Sequence, residues 1–163
     1  MDLSQYLEIF IEETKEHLQS LNIQLLVLET EPGNVNTINE IFRAAHSLKG
    51  MAGTMGYKRM QRLTHDMENV FSEIRNGKMN VTAELVDVLF KGLDALESYL
   101  LNIQESSDEG TNDYEDIIIQ LNNILNIGLG EKIAKETKIE IPVMVGVSAT
   151  AVSTVAAQGN SSK

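Results

Sequence analysis

Residues 3–30 read LSQYLEIFIEETKEHLQSLNIQLLVLET. Leu3, Leu7, Phe10, Thr14, Leu18, Leu21, Leu25 and Leu28 recur at steps of three or four, the period of one face of an α-helix. Glu12, Glu13, Lys15, Glu16 and Gln19 fall on the water side. The stretch predicts one long amphipathic helix. Thr30-Glu31-Pro32-Gly33 stops it, because proline lacks an N–H and clashes with the preceding turn.

The same period continues outward along the chain. A second helix is expected from about Asn36, with Ile38, Ile41, Phe42, Ala45, Leu48 and Ala52 inward and Gly50, Gly53 and Gly56 loosening its end. A third carries Met60, Leu63, Met67, Val70, Phe71 and Ile74, and closes at Asn76-Gly77 in a left-handed cap. Thr82 is a natural N-cap for the fourth, with Glu84 favourably placed in the dipole field of the first turn. Its stripe is Leu85, Val88, Leu89, Leu93, Leu96, Leu100 and Ile103. The polar run from Glu105 to Asp113 reads as a loop, and a shorter fifth helix follows with Ile117, Ile118, Leu121, Ile124 and Leu125. No strand period interrupts the series, and short connectors favour antiparallel neighbours. The expected class is all-α: an antiparallel bundle over 1–127, followed by a linker or disordered tail over 128–163. Ile141 to Ala157 is uncharged, but it contains Pro142 and four hydroxyl side chains. A small-residue linker, with a short Val143–Val147 strand, is expected there rather than a membrane span.

Composition excludes several functions. Lys and Arg number 13 against 24 Asp and Glu, a net charge of −11, so phosphate backbones would be repelled and no nucleic-acid partner is expected. There is no cysteine, which removes disulfides, thiolate nucleophiles and zinc–thiolate sites together. Trp is absent and aromatics are 5%, too few for a base-stacking platform. No Gly-rich loop followed by Lys-Ser/Thr would cradle a nucleotide. The N-terminal residues lack a secretory signal pattern, and a cytoplasmic location is expected.

Three histidines remain as candidates for chemistry: His17, His46 and His65. His17 reads as a boundary residue. His46 sits in Phe42-Arg43-Ala44-Ala45-His46-Ser47-Leu48-Lys49-Gly50-Met51-Ala52-Gly53, at the edge of the apolar stripe, where its ring can reach solvent. His46, Lys49, Gly50 and Gly53 share one helix face. Lys49 could meet an anion attached to the ring, and the two glycines would leave a thin surface for a docking molecule. Each glycine costs a helix about 1 kcal/mol relative to alanine, so the pair asks for a reason. In Thr64-His65-Asp66-Met67-Glu68-Asn69, Glu68 could accept a hydrogen bond from one ring nitrogen of His46 if helices two and three pack antiparallel. That bond would leave the other nitrogen as an exposed lone pair. Such a site accepts a group rather than activating water. His65 with Glu68 makes only a weak metal pair, so no metal site is expected. Met51, Met55, Met60 and Met67 read as core filler.

The run Ile41 to Gly50, followed by Ala52-Gly53-Thr54 and Gly56-Tyr57, together with Thr64 to Asn69, resembles the N-terminal histidine phosphotransfer (HPt, P1) domain of the CheA family of chemotaxis histidine kinases. The resemblance covers roughly residues 1–127. It implies an antiparallel four-helix bundle with a fifth C-terminal helix. It implies that His46 is phosphorylated by the ATP-binding kinase catalytic domain, with ATP and Mg²⁺ used in trans and no cofactor bound here. The phosphoryl group would then pass to an aspartate of a CheY- or CheB-type response regulator. Lys49, His65 and Glu68 match the family's hydrogen-bond network around the phosphorylated histidine. Met51 and Met55 depart from what is often a glycine and a phenylalanine.

No dimerisation hairpin, ATP lid or coupling domain fits in the remaining residues. The chain is therefore expected to be part of such a kinase, monomeric in isolation, a substrate and relay without autokinase activity. Another multistep phosphorelay module, a helical adaptor without phosphotransfer and a metal-binding bundle are the competing readings.

Overall fold

The computed structural model describes residues 2–140, with side chains as far as residue 127. Five helices follow one another: α1 (Leu3–Thr30), α2 (Val35–Met55), α3 (Lys58–Arg75), α4 (Ala83–Ser106) and α5 (Glu115–Glu140). There is no strand among the described residues. Helices α1 to α4 pack in a closed ring, each against two neighbours, and their short connections make successive helices antiparallel. The compact unit ends at Gly128.

Most helix ends have a local cause. Asp2 caps α1 reciprocally: its carboxylate accepts the Gln5 N–H at 3.0 Å, and the Gln5 side chain accepts the Asp2 N–H at 3.1 Å. Asn34 caps α2 through the Thr37 N–H, and Thr82 caps α4 through the Leu85 N–H, as its sequence position predicts. Helix α2 begins a residue earlier than expected and runs unbroken through Gly50 and Gly53. Only Gly56, at φ 81°, ends it. At the end of α3 the Lys78 N–H donates to Glu73 O and the Gly77 N–H to Ile74 O, with Gly77 at φ 74°, so the left-handed cap falls where Asn76-Gly77 suggests.

The predicted stripes form one core. Leu25, Leu48, Met60, Leu63, Val70, Leu89 and Leu96 are wholly buried, and Ile117, Ile118 and Leu121 of α5 join them. Met60 and Met67 fill the core, whereas Met51 and Met55 are half-buried at its edge. Gly92 of α4 lies against the Met67 thioether, where an added Cβ would come within 2.8 Å of Sδ. Its missing side chain lets α4 approach the turn of α3 that precedes Glu68.

Two expectations need correction. Helix α5 is not short: it continues to Glu140, so residues 128–140, expected within the linker or tail, are helical. The residue types from 129 to 140 are mostly Leu, Ile, Ala, Glu and Lys, all helix-compatible, and no proline intervenes before Pro142. The rest of the expected tail, with the Val143–Val147 strand, lies outside the described residues. Among the described residues no helix is long and apolar enough to cross a membrane.

The second correction concerns the polar run expected as a loop: Glu105 and Ser106 belong to α4, and the connector that follows, residues 107–114, is more than a polar link. Helix α3 has no side-chain cap of its own at Tyr57. The buried Glu109 carboxylate supplies one, accepting the N–H of Arg59 at 3.0 Å and of Met60 at 2.9 Å. Arg59 Nε donates to Asp113 at 2.7 Å, and the Tyr57 hydroxyl donates to Ser107 O. The loop thus clamps the start of the helix that carries Glu68.

Replacing Glu109 by Ala strands those buried donors, and urea denaturation should show a loss of roughly 1–3 kcal/mol. The opposite sign is expected at Thr14, whose buried hydroxyl has no hydrogen-bond partner among the described residues. Thr14→Val should melt at or above the temperature of the parent chain, because it removes a desolvated polar atom of nearly unchanged shape.

Candidate functional site

Helix α2 turns Ala44, Ala45 and Leu48 into the core, and this rotation leaves His46 at the boundary with its side chain 65% exposed. Opposite it, α3 buries Met67, Val70 and Phe71 and carries Glu68 inward with them, only 6% exposed. A carboxylate so far from water must be hydrogen-bonded or neutralised. Both oxygens are satisfied from α2: Oε2 by His46 Nδ1 at 2.5 Å and Oε1 by Lys49 Nζ at 2.6 Å.

The protonation pattern follows. Burial raises the Glu68 pKa, but the hydrogen bonds and charges of Lys49 and His46 outweigh it and hold the group below the ordinary value of 4.5. The ionised carboxylate only accepts, so His46 Nδ1 carries the proton. In the neutral ring Nε2 is then a lone pair, and it has no partner among the described residues.

The structure separates the remaining sequence candidates. Gln61, His65 and Glu68 lie on one face of α3, so His65 stands one turn from Glu68. It does not join the hydrogen-bond network. Its side chain is 54% exposed, and the carboxylate it pairs with is Asp66 at 3.9 Å, beyond hydrogen-bonding range. Gly50 is open, with nothing within 4 Å of where a Cβ would lie. Gly53 is not the thin surface expected of it. Gly53 is half-buried, and a Cβ there would sit 2.5 Å from the end of the Gln61 amide, which reaches across from α3. Among the described residues no three metal-ligating side chains converge.

Two features escaped the sequence reading. One is a groove of about 550 Å³ between α1 and α2, with Tyr6, Phe10, Met51 and Met55 at its apolar end and Glu13, His17, His46 and Ser47 at its polar end. His17, read as a boundary residue, therefore shares a groove with His46. The other is that Phe42, counted with the core, is half-buried, and its ring is nearly parallel to the His46 imidazole at a centroid distance of 6.1 Å. The guanidinium of Arg75 lies 3.8 Å over the same Phe42 ring. The four-residue step from Phe42 to His46 was a legible signal of their adjacency; nothing local pointed to Arg75.

The depressed pKa of Glu68 makes its contribution to stability pH-dependent. That contribution is present above the unfolded-state value and disappears as pH falls through the lower folded-state value. The stability difference between the parent chain and Glu68→Gln, measured by urea denaturation from pH 6 to pH 3, should therefore shrink once the pH drops below about 4.5. A difference that stays constant over this range would contradict the ion-paired state.

A family model described as Hpt domain matches residues 5–105. The chain is 48% identical over 121 residues to the chemotaxis protein CheA of Bacillus subtilis (strain 168), an alignment covering 74% of this chain and 18% of that protein. It thus spans about a fifth of the length of the curated relatives it matches. Among solved structures, the CheA phosphotransferase domain from Thermotoga maritima is 45% identical, with a TM-score of 0.61, over 63% of this chain and 98% of that one. The phosphorylated P1 domain of CheA3 in complex with CheY6, from R. sphaeroides, shares the fold, with a TM-score of 0.67 at 22% identity over 74% of this chain and 95% of that one. The family match covers more than half of the sequence and includes both helices that build the His46–Glu68–Lys49 cluster: the chain belongs to the Hpt domain family.

Proposed function

We propose that this chain is the phosphotransfer domain of a CheA-type chemotaxis kinase, with His46 as the residue that carries the phosphoryl group. The observation that supports it most is the hydrogen bond from Nδ1 to Glu68, which leaves Nε2 of an exposed ring as the nucleophile. In the first transfer the Nε2 lone pair attacks the γ-phosphorus of ATP held by a separate kinase catalytic domain. An N–P bond forms, the P–O bond to ADP breaks, and the bonding pair leaves with ADP. The Nδ1 proton stays in place. Positive charge gathering on the ring is balanced by the Glu68 carboxylate two atoms away, held ionised by Lys49. In the second transfer an aspartate oxygen of a response regulator attacks phosphorus, and the N–P pair returns to Nε2.

Lys49 engages Glu68 with one donor, which leaves its other N–H groups for a phosphoryl oxygen. His65 is assigned a lesser part, since it stands a turn away. The regulator, of the CheY or CheB type, docks against α2 beside Gly50 and along the α1–α2 groove, whose apolar end offers Tyr6, Phe10 and Met55. Gly53 is left out of that surface because Gln61 covers it. The CheA3 domain that shares this fold is described in complex with CheY6, which favours a regulator of that type. Mg²⁺ and ATP belong to the donor domain, and the reaction implies the cytoplasm.

Intact-mass analysis after incubation with Mg-ATP tests the reading, with and without a chemotaxis kinase core that lacks its own phosphotransfer domain. One acid-labile phosphoryl group is expected only when the core is present, and none in His46→Gln. Label appearing without the core, or persisting in His46→Gln, would sink the assignment. So would no label from the cognate core, when a control phosphotransfer domain is labelled in parallel.

A further inference from the structure

Apart from its covalent bond to Cβ, the His46 ring is held only by the Nδ1 bond to Glu68. With Cβ on the helix and Nδ1 on the carboxylate, the ring can still librate through small coupled changes of χ1 and χ2 that flex that hydrogen bond, and its side chain is 65% exposed. Nε2 would then sweep an arc, and an in-line attack at phosphorus requires it to stay on one axis. The structure contains a second restraint. One turn back on α2, the Phe42 ring lies within 11° of parallel to the imidazole. Phe42 is in turn covered by Arg75, whose guanidinium carbon is 3.8 Å from the ring centroid.

Helix geometry explains how one helix supplies both restraints. Glu68 and Arg75 are seven residues apart on α3, two turns along the same face, and Phe42 and His46 are four apart on α2. With the helices antiparallel, Glu68 meets His46 directly and Arg75 meets Phe42 one turn further on. Arg75 stands in the last turn of α3, where any cation complements the helix dipole, and that alone would explain a basic residue. It would not explain a guanidinium lying on an aromatic face. Among the described residues Arg75 forms no ion pair, so the ring is the partner it has.

We propose that Arg75 and Phe42 are positioning residues for phosphotransfer. Arg75 pins Phe42, and Phe42 holds the plane of the His46 imidazole so that Nε2 keeps a constant direction. The proposal rests on the phosphotransfer reading above and adds two residues that touch neither ATP nor the regulator. Arginine suits the role better than lysine, because its flat guanidinium stacks on a ring face.

The test uses Arg75→Gln and Phe42→Leu, with Arg75→Lys as the conservative variant, all phosphorylated by the same kinase core at several chain concentrations. An exposed cation–π contact is worth a factor of about two to five, so kcat should fall by about that much in Arg75→Gln and Phe42→Leu. KM should stay the same, since the proposal gives neither residue a contact with the kinase core. Arg75→Lys should recover most of the loss, as it keeps a cation over the ring. Carbon-13 relaxation of the His46 imidazole should show larger ring motion in Arg75→Gln and Phe42→Leu, with the Arg75→Gln bundle melting as the parent does. That readout needs no phosphotransfer. Ring motion unchanged in both variants overturns the proposal, even if activity falls. Unchanged kcat in both, with the parent chain phosphorylated normally, overturns it as well. A parent chain that takes no label from its cognate core defeats the phosphotransfer reading instead.

Discussion

A buried carboxylate reaching across from α3 to two donors on α2 organises this site. Glu68 is almost wholly removed from water, and each of its oxygens is met by a different residue of the facing helix. An ion pair of this kind adds little net stability over an apolar pair of similar volume, because desolvation offsets the attraction. What it supplies is register. With His46 and Lys49 both bound to Glu68, α2 cannot slide along α3 without stranding a charge. The same register seats Gly53 against Gln61 and lays Arg75 over Phe42.

The bundle separates support from reaction. The core side of α2 is made of small and aliphatic residues, and the reactive ring stands just outside it. Helix α3, through the buried Glu68, sets which nitrogen of His46 carries the proton. Its own position is secured at the opposite end by Glu109, which caps its first turn from the α4–α5 loop.

Much of this was legible along the chain. The apolar period located five helices, and Thr82 and Gly77 marked helix ends because their capping chemistry is local. His46, Lys49 and Glu68 could be brought together on paper, since helix spacing places the first two on one face and an antiparallel neighbour brings the third across. The misreadings share a cause. Phe42 has the type and spacing of a core residue, but its burial depends on where α3 ends. Gly53 resembles Gly50 in sequence and differs only in having Gln61 beside it. His65 matched the expected network by position, yet its ring is exposed and turned toward Asp66. Glu109 sits in a run of polar residues with nothing local to distinguish it from Glu105 or Asp108.

The sequence by itself determined the helices, most of their limits, the stripe each one buries and the histidine that stands at the edge of a stripe. These follow from periodicity, backbone chemistry and capping, which act over a few residues. Only the tertiary structure decided which nitrogen of His46 is free, that Lys49 is paired with Glu68, that Arg75 covers Phe42 and that Glu109 caps α3. Each of those depends on distances between residues 19 to 50 positions apart in the chain, and such distances are set by how whole helices pack.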